Sequence, residues 1–183
     1  ATAQKLYGIT FTPIDGIPVP HPETTVYEVK EADGSHIGLF FMDMHPRASK
    51  RGGAWCGSYR DHHYTRDGKE VYPLVNNVCN FTRPSGDKPA LLSPDEVHTM
   101  FHEFGHALDG LFSEASYNES YIAWDFVELP SQIMEHWAFQ PEVLKMYAKH
   151  YKTGEVIPDE LIKKLDASAN FNKGFEKTEL LAA

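Results

Sequence analysis

A histidine, a glutamate and a second histidine stand in the stretch Phe101-His102-Glu103-Phe104-Gly105-His106. On a helix, a spacing of four residues puts both imidazoles on one face, one turn apart. Each can then offer a ring nitrogen to one tetrahedral zinc at about 2.0–2.1 Å. Glu103 projects to the side of the first ligand, where its carboxylate reaches a water on the metal instead of the metal itself. From there it can take the water's proton during attack on a peptide carbonyl. The pattern fixes only three positions, so its bland reading is a helix with two exposed histidines and an unrelated carboxylate. Two features weigh against that reading. The stretch sits in a helix with a strong start and an apolar opposite face, and Gly105 interrupts it at a cost of about 1 kcal/mol relative to Ala. A glycine kept there often admits a close neighbour.

A third ligand decides the kind of site. A metzincin would place glycine three residues and histidine six residues after His106, but Asp109 and Phe112 stand there. A gluzincin takes a glutamate from a following helix, and Asp125-Phe-Val-Glu128 opens the next helical segment. Asp125 can cap that helix and Glu128 would face out of its first turn, which makes Glu128 the expected third ligand and water the fourth. Pro130 is tolerable so close to a helix start but would kink the helix deeper in. Asp109, on the face of His106, competes as a ligand or as an acceptor that orients an imidazole; Asp125 is kept open in the same way. His98 shares the stripe, yet a fourth protein ligand would close the site, so it reads as a rim residue. Glu135 and His136, two turns beyond Glu128, read as structural or as supports behind the ligands. His62 and His63 fall in a polar loop and read as solvated.

The elements that must hold these groups divide the chain near residue 92. Residues 1–92 are rich in Pro, Gly and aromatics and read as strands and turns, with a hairpin of Thr25–Lys30 and His36–Met42 around Ala32-Asp-Gly34. Gly53–Arg60 and Val75–Phe81 are further strands, and Ser49–Trp55 is either a mobile loop or a plain surface connection. Ser93-Pro-Asp-Glu96 then signals a helix start: a capping serine, proline at the first position and the glutamate of a capping box. Val97, Met100, Phe101, Phe104, Ala107, Leu108 and Leu111 recur at helical spacing, with Gly110 as the expected stop. Further helices are expected over Asp125–Phe139, Pro141–Tyr151 and Pro158–Ala169. The expectation is an α+β chain, residues 1–183 forming one catalytic domain, with a small sheet in the N-terminal half followed by the helix of the two histidines and further helices.

Composition narrows the partners. Of 183 residues, 17 are basic and 26 acidic, for a net charge of -9, which argues against nucleic acid and anionic membranes. No apolar run approaches the roughly 20 residues of a membrane span. The first nine residues lack the pattern of a secretory signal, and Cys56 and Cys79 form no CxxC pair, so a reducing cytoplasm is the default setting. Asn80-Phe-Thr82 and Asn118-Glu-Ser120 then read as chance matches to the glycosylation pattern.

Phe101-His-Glu-Phe-Gly-His-Ala107, followed by Asp125-Phe-Val-Glu-Leu-Pro-Ser-Gln132 and Glu135-His136-Trp137, resembles the thimet oligopeptidase family of zinc metallopeptidases, in particular its bacterial peptidyl-dipeptidase branch. Leu6-Tyr-Gly8, Ala32-Asp-Gly34, Ser49–Trp55, Asn77-Val-Cys-Asn80, Pro89-Ala-Leu-Leu92 and Phe171-Asn-Lys-Gly174 extend the resemblance over nearly the whole chain. It implies a zincin-like core in which His102, His106 and Glu128 bind one Zn2+ per chain and Glu103 activates water. The implied substrates are short unstructured peptides that lose C-terminal dipeptides. The chain departs from the family in its length, in Asp109 where His is common and in Trp124 where Arg is common. Family members run to several hundred residues and carry substrate-binding tyrosine and histidine residues in a region beyond this one. The alternative expectation is therefore a zinc-binding core fragment with little or no activity, able to self-associate through surface that truncation exposes.

Overall fold

The β-branched and aromatic residues of Thr25–Lys30 and the nearly continuous apolar run of His36–Asp43 build the centre of the sheet on which the other elements rest. In the computed structural model, which describes residues 1–114 and 122–182, the fold is α+β. Residues 1–137 form one compact unit and 138–183 another. The first contains α1 (Thr2–Tyr7), β1 (Thr10–Ile14), β2 (Thr25–Lys30), β3 (His36–Asp43), β4 (Trp55–Arg60), β5 (His63–Tyr64), β6 (Glu70–Val71), β7 (Leu74–Val78) and α2 (Pro94–Phe112). It also carries nearly all of α3 (Leu129–Ala138). Five strands pair in the order β1-β2-β3-β7-β4, with β3 and β7 parallel and the other neighbours antiparallel; β5 and β6 make a separate small ribbon.

Helix α2 lies across β3, β7 and β4. Its stripe of Val97, Phe101, Ala107, Leu108 and Leu111 is buried against Val29, Phe40 and Val75 in the first unit's core. Three aromatic rings tie helix to sheet: Phe104 stands 5.7 Å from Phe11 and 5.8 Å from Phe40, and those two are 6.2 Å apart. Such tilted and edge contacts add to simple burial. A methyl group at Gly110 would come 3.2 Å from Val75, so the glycine lets helix and sheet approach, and α2 runs past it to Phe112 instead of stopping there.

The start of α2 is as its residues imply. Ser93 Oγ accepts from Glu96 N at 3.1 Å, and Glu96 Oε2 accepts from Ser93 N at 2.8 Å. The other oxygen of Glu96 accepts from Thr82 N at 2.6 Å and Thr82 Oγ1 at 2.9 Å, fastening the chain after β7 to the helix. The 49–55 connection is pinned. Lys50, its side chain 3% exposed, pairs with Asp43 at 2.9 Å and donates to the carbonyls of Asp43 and His45. Asn80 Nδ2 donates to the carbonyls of Arg51 and Gly53, which gives that residue a structural task; Asn118 lies outside the described residues.

Several boundaries differ from expectation. Residues 124–128 form turns, with Phe126 and Val127 both donating to Ala123 O, so α3 starts at Leu129 and Asp125 is not its cap. The last strand closes at Val78, because Cys79 N and Phe81 N donate to the carbonyls of Asp43 and Met44 beyond the end of the regular pairing. His62 is buried, 5% exposed, and paired with Glu70 at 3.0 Å, not solvated. The second unit holds α4 (Pro141–Tyr147), α5 (Asp159–Ser168) and α6 (Lys173–Ala182). Helix α4 ends at Tyr147, short of Tyr151, where Ala148 N closes on Leu144 O and the chain bridges Lys149 to Val156. Phe171, Phe175, Leu180 and Leu181 are strongly exposed. Among the described residues no helix is long and apolar enough to cross a membrane.

Burial raises the Glu96 carboxyl, but the bonds it accepts from Ser93 N, Thr82 N and Thr82 Oγ1 hold it below its ordinary value of 4.5. A lowered folded-state value means stability that is present above pH 4.5 and lost as pH falls through the folded-state value. Ser93→Ala should cost about 0.5–2 kcal/mol in urea denaturation. Glu96→Gln should flatten the acid limb of the stability curve while leaving its neutral-pH fold by circular dichroism intact.

Candidate metal centre

Both histidines sit in the middle of α2, on the turn before and the turn after Gly105. A Cβ at Gly105 would stand 2.5 Å from Pro130 O and 2.6 Å from Ser131 Cα, so the backbone of the first turn of α3 rests directly on α2. Pro130, in that first turn, has no lost hydrogen bond to answer for. Glu128, one residue before α3, is thereby delivered to the imidazoles. Its carbonyl accepts the Gln132 N–H at 2.9 Å, and its carboxylate is steadied by Ser131 Oγ, 2.7 Å from Oε2; Ser131 itself is fully buried.

Glu128 Oε2 lies 3.3 Å from His102 Nε2 and 3.2 Å from His106 Nε2, and the three candidate ligand atoms all fall within 4.8 Å of one another. Ligands at about 2.0–2.1 Å from a tetrahedral zinc are about 3.3–3.4 Å apart along an edge. The two measured separations match that edge. The imidazole rings stand 5.0 Å apart at 83°, so their distal nitrogens converge without stacking. Behind His102, its Nδ1 meets Glu135 Oε1 at 2.6 Å. That contact puts the ring proton on Nδ1 and leaves Nε2 with its lone pair toward Glu128. A carboxylate oxygen and two imidazole nitrogens at these separations can share one cation placed between them. The donor set therefore fits a divalent metal, and its composition of two imidazoles and one carboxylate suits zinc.

Glu103 is buried, 7% exposed, on the helix face that abuts these groups. Burial pushes its carboxyl above the ordinary value of 4.5; the charges of His102 and His106 pull it back and that of Glu128 raises it again. Glu128 goes the other way, lowered chiefly by the Ser131 hydroxyl, against burial and with help from both histidines. Two neighbouring carboxyls are thus separated in character, one inclined to hold a proton and one inclined to stay charged.

The remaining candidates divide. Asp109 is half-buried, and burial raises its carboxyl while the charge of His106 lowers it, but it makes no bond to either imidazole. Asp125 is exposed in the turn before Glu128. His98 faces Glu135, at 3.3 Å. Of Glu135 and His136, both read as structural or supporting, Glu135 meets His102. The signal for it was its place seven residues after Glu128, which the sequence shows without showing which imidazole it meets.

The chain is also similar to known proteins. The sequence model of Peptidase family M3 matches residues 1–182. Dipeptidyl carboxypeptidase of Escherichia coli (strain K12) is 44% identical over 185 aligned residues, taking in 100% of this chain and 27% of that protein. Organellar oligopeptidase A of Arabidopsis thaliana is 43% identical, covering 94% of this chain and 23% of its own length. Oligopeptidase A of Escherichia coli is 39% identical, covering 92% and 25%. The chain thus spans about a quarter of the length of the curated relatives it matches.

The glycine contact gives a direct test. Gly105→Ala must move the α3 backbone, since its methyl would meet Pro130 and Ser131 at 2.5–2.6 Å, and should cost more than the usual 1–3 kcal/mol of an overpacked core. Gly110→Ala meets only a Val75 side chain at 3.2 Å and should be close to neutral, since it also gains about 1 kcal/mol of helix propensity. Thermal unfolding of the two variants side by side checks the contrast.

Proposed function

The chain belongs to peptidase family M3, and from that membership and the convergence of three donor atoms we propose that it works as a zinc metallopeptidase of the gluzincin kind, with a zincin-like catalytic core. The observation that carries the reading is the pair of 3.2–3.3 Å separations from Glu128 Oε2 to His102 Nε2 and His106 Nε2. His102, His106 and Glu128 hold one Zn2+. When bound, the metal supplies Lewis-acid polarisation of the scissile carbonyl and makes a water acidic enough to attack near neutral pH.

The chain's own groups do the rest. Glu103, next to the first ligand and on the buried side of the helix, takes a proton from the attacking water and returns it to the departing amine. Its raised carboxyl suits a group that must both accept and release a proton. Glu128 stays ionised under the Ser131 hydroxyl and offers one oxygen to the metal. Asp109 adds a nearby negative charge without touching a ligand.

Substrates are short peptides. The relative's name, dipeptidyl carboxypeptidase, favours release of C-terminal dipeptides over cleavage at internal bonds. Cys56 and Cys79 are free thiols, both pushed up to about 12, chiefly by burial, and fit a reducing cytoplasm. Membrane and nucleic-acid partners fit poorly with a net charge of -9.

The test joins metal content to turnover. Elemental analysis should find one zinc in the wild type and none in Glu128→Ala. On a quenched peptide, Glu103→Gln should keep the metal and lose 10²–10⁴-fold in kcat, the usual contribution of a general base, and a chelator should abolish cleavage. Turnover unchanged in Glu103→Gln would defeat the mechanism. A chain that takes up zinc and cleaves nothing would be a metal-binding core and not a peptidase on its own.

A further inference from the structure

Histidine ligands bind metal well only when the ring is turned correctly and carries its proton on the other nitrogen. Helix α2 alone cannot ensure either, because an imidazole rotates about its side-chain bonds. His102 receives an outside constraint, and the geometry points to its source: we propose that Glu135 is a positioning residue that fixes the tautomer and orientation of His102, and that His98 holds Glu135 in place.

The bridge runs between two helices. Glu135 Oε1 accepts from His102 Nδ1 at 2.6 Å, and Glu135 Oε2 faces His98 Nε2 at 3.3 Å. His98 and His102 are one turn apart on α2, so one carboxylate on α3 spans two successive turns of the facing helix. Using both oxygens, Glu135 is restrained about its own terminal bond, and its direction toward His102 no longer depends on one contact. The His98 side chain is the most exposed of the three at 45%, against 22% for Glu135 and 26% for His102. The outermost member meets solvent and the inner bond is partly shielded from it. His106 is held differently; among the described residues the carboxylate that faces it is Glu128, 3.2 Å from Nε2. The bridge therefore acts on one ligand of the pair.

The inference rests on the metal reading for its consequence but not for its geometry, so two measurements separate them. In the metal-free protein, nitrogen NMR should show His102 protonated at Nδ1, shifting toward a mixture of tautomers in Glu135→Gln and being restored in part by Glu135→Asp. In zinc titrations against a chromophoric chelator, Glu135→Gln should weaken binding 10–100-fold, the usual effect of removing such a partner. His98→Gln should weaken it a few-fold, and should add nothing in the Glu135→Gln background, since it acts only through Glu135. Circular dichroism and melting of the metal-free variants should stay at the wild-type values. Wild-type zinc affinity in Glu135→Gln, an Nε2-protonated His102 in the wild type, or an equal His98→Gln loss in both backgrounds would each overturn the proposal. Failure of the wild type to bind zinc would sink the metal reading instead, and the tautomer measurement would still decide the role of Glu135.

Discussion

Gly105 has no side chain, and the rest of the centre depends on that fact. Two helices normally keep their axes about 8–10 Å apart because side chains stand between them. Here the backbone of Pro130 and Ser131 occupies the volume a single methyl would need. Such contact places the start of α3 against the middle of α2 with little freedom to slide. Glu128 precedes that point by two residues and Glu135 follows it by five, so both carboxylates reach His102 from one anchored segment, Glu128 meeting His106 as well. The cost of a glycine inside a helix, about 1 kcal/mol, is small beside what its absence of bulk permits.

The sheet answers a different need. A convergence of donor atoms holds only if α2 itself does not rock. Phe104 wedges between Phe11 and Phe40, and Leu108 and Leu111 are buried on the same side. Helix α2 thus has one face committed to the core and the adjoining face to chemistry. Glu103 falls at the border between them, which is why it is buried and yet within the electrostatic reach of His102, His106 and Glu128. Moving it one position along the helix would turn it by about 100° and lose one of those conditions.

Much of this was legible in the sequence, for reasons tied to particular residues. Ser93, Pro94 and Glu96 act within one helical turn, so local chemistry alone predicts the start of α2, as helical spacing does its buried stripe. The two histidines and Glu103 owe their arrangement to that same helix. Glu128 was legible as a candidate by its place before an apolar helical run, but not as an element: the turns at 124–128 are set by bonds to Ala123 and by the seat of α3 on Gly105, neither of which a local pattern contains. Asp125 was assigned to a cap for the same reason. His62 escaped notice as a buried residue because its partner Glu70 lies across a two-residue ribbon too short to leave a periodic signal. Strand β1 is similarly short and carries Pro13, which an edge strand tolerates and a pattern search discounts.

Ligand order before a metal arrives is the final consequence of this packing. Glu128 is itself the most exposed of the three donors, its side chain 51% exposed, and stands in a turn and not in a helix. Left to itself such a side chain would lose rotamer freedom on binding, at about 1.5–2 kcal/mol for a glutamate. Ser131 takes up part of that cost in the metal-free fold, by bonding both the carbonyl and the carboxylate of Glu128 from a fully buried position. Glu135 does the same for His102. The ordering is thus met by the folding of two helices against one glycine, which would leave more of a bound metal's binding energy to appear as affinity.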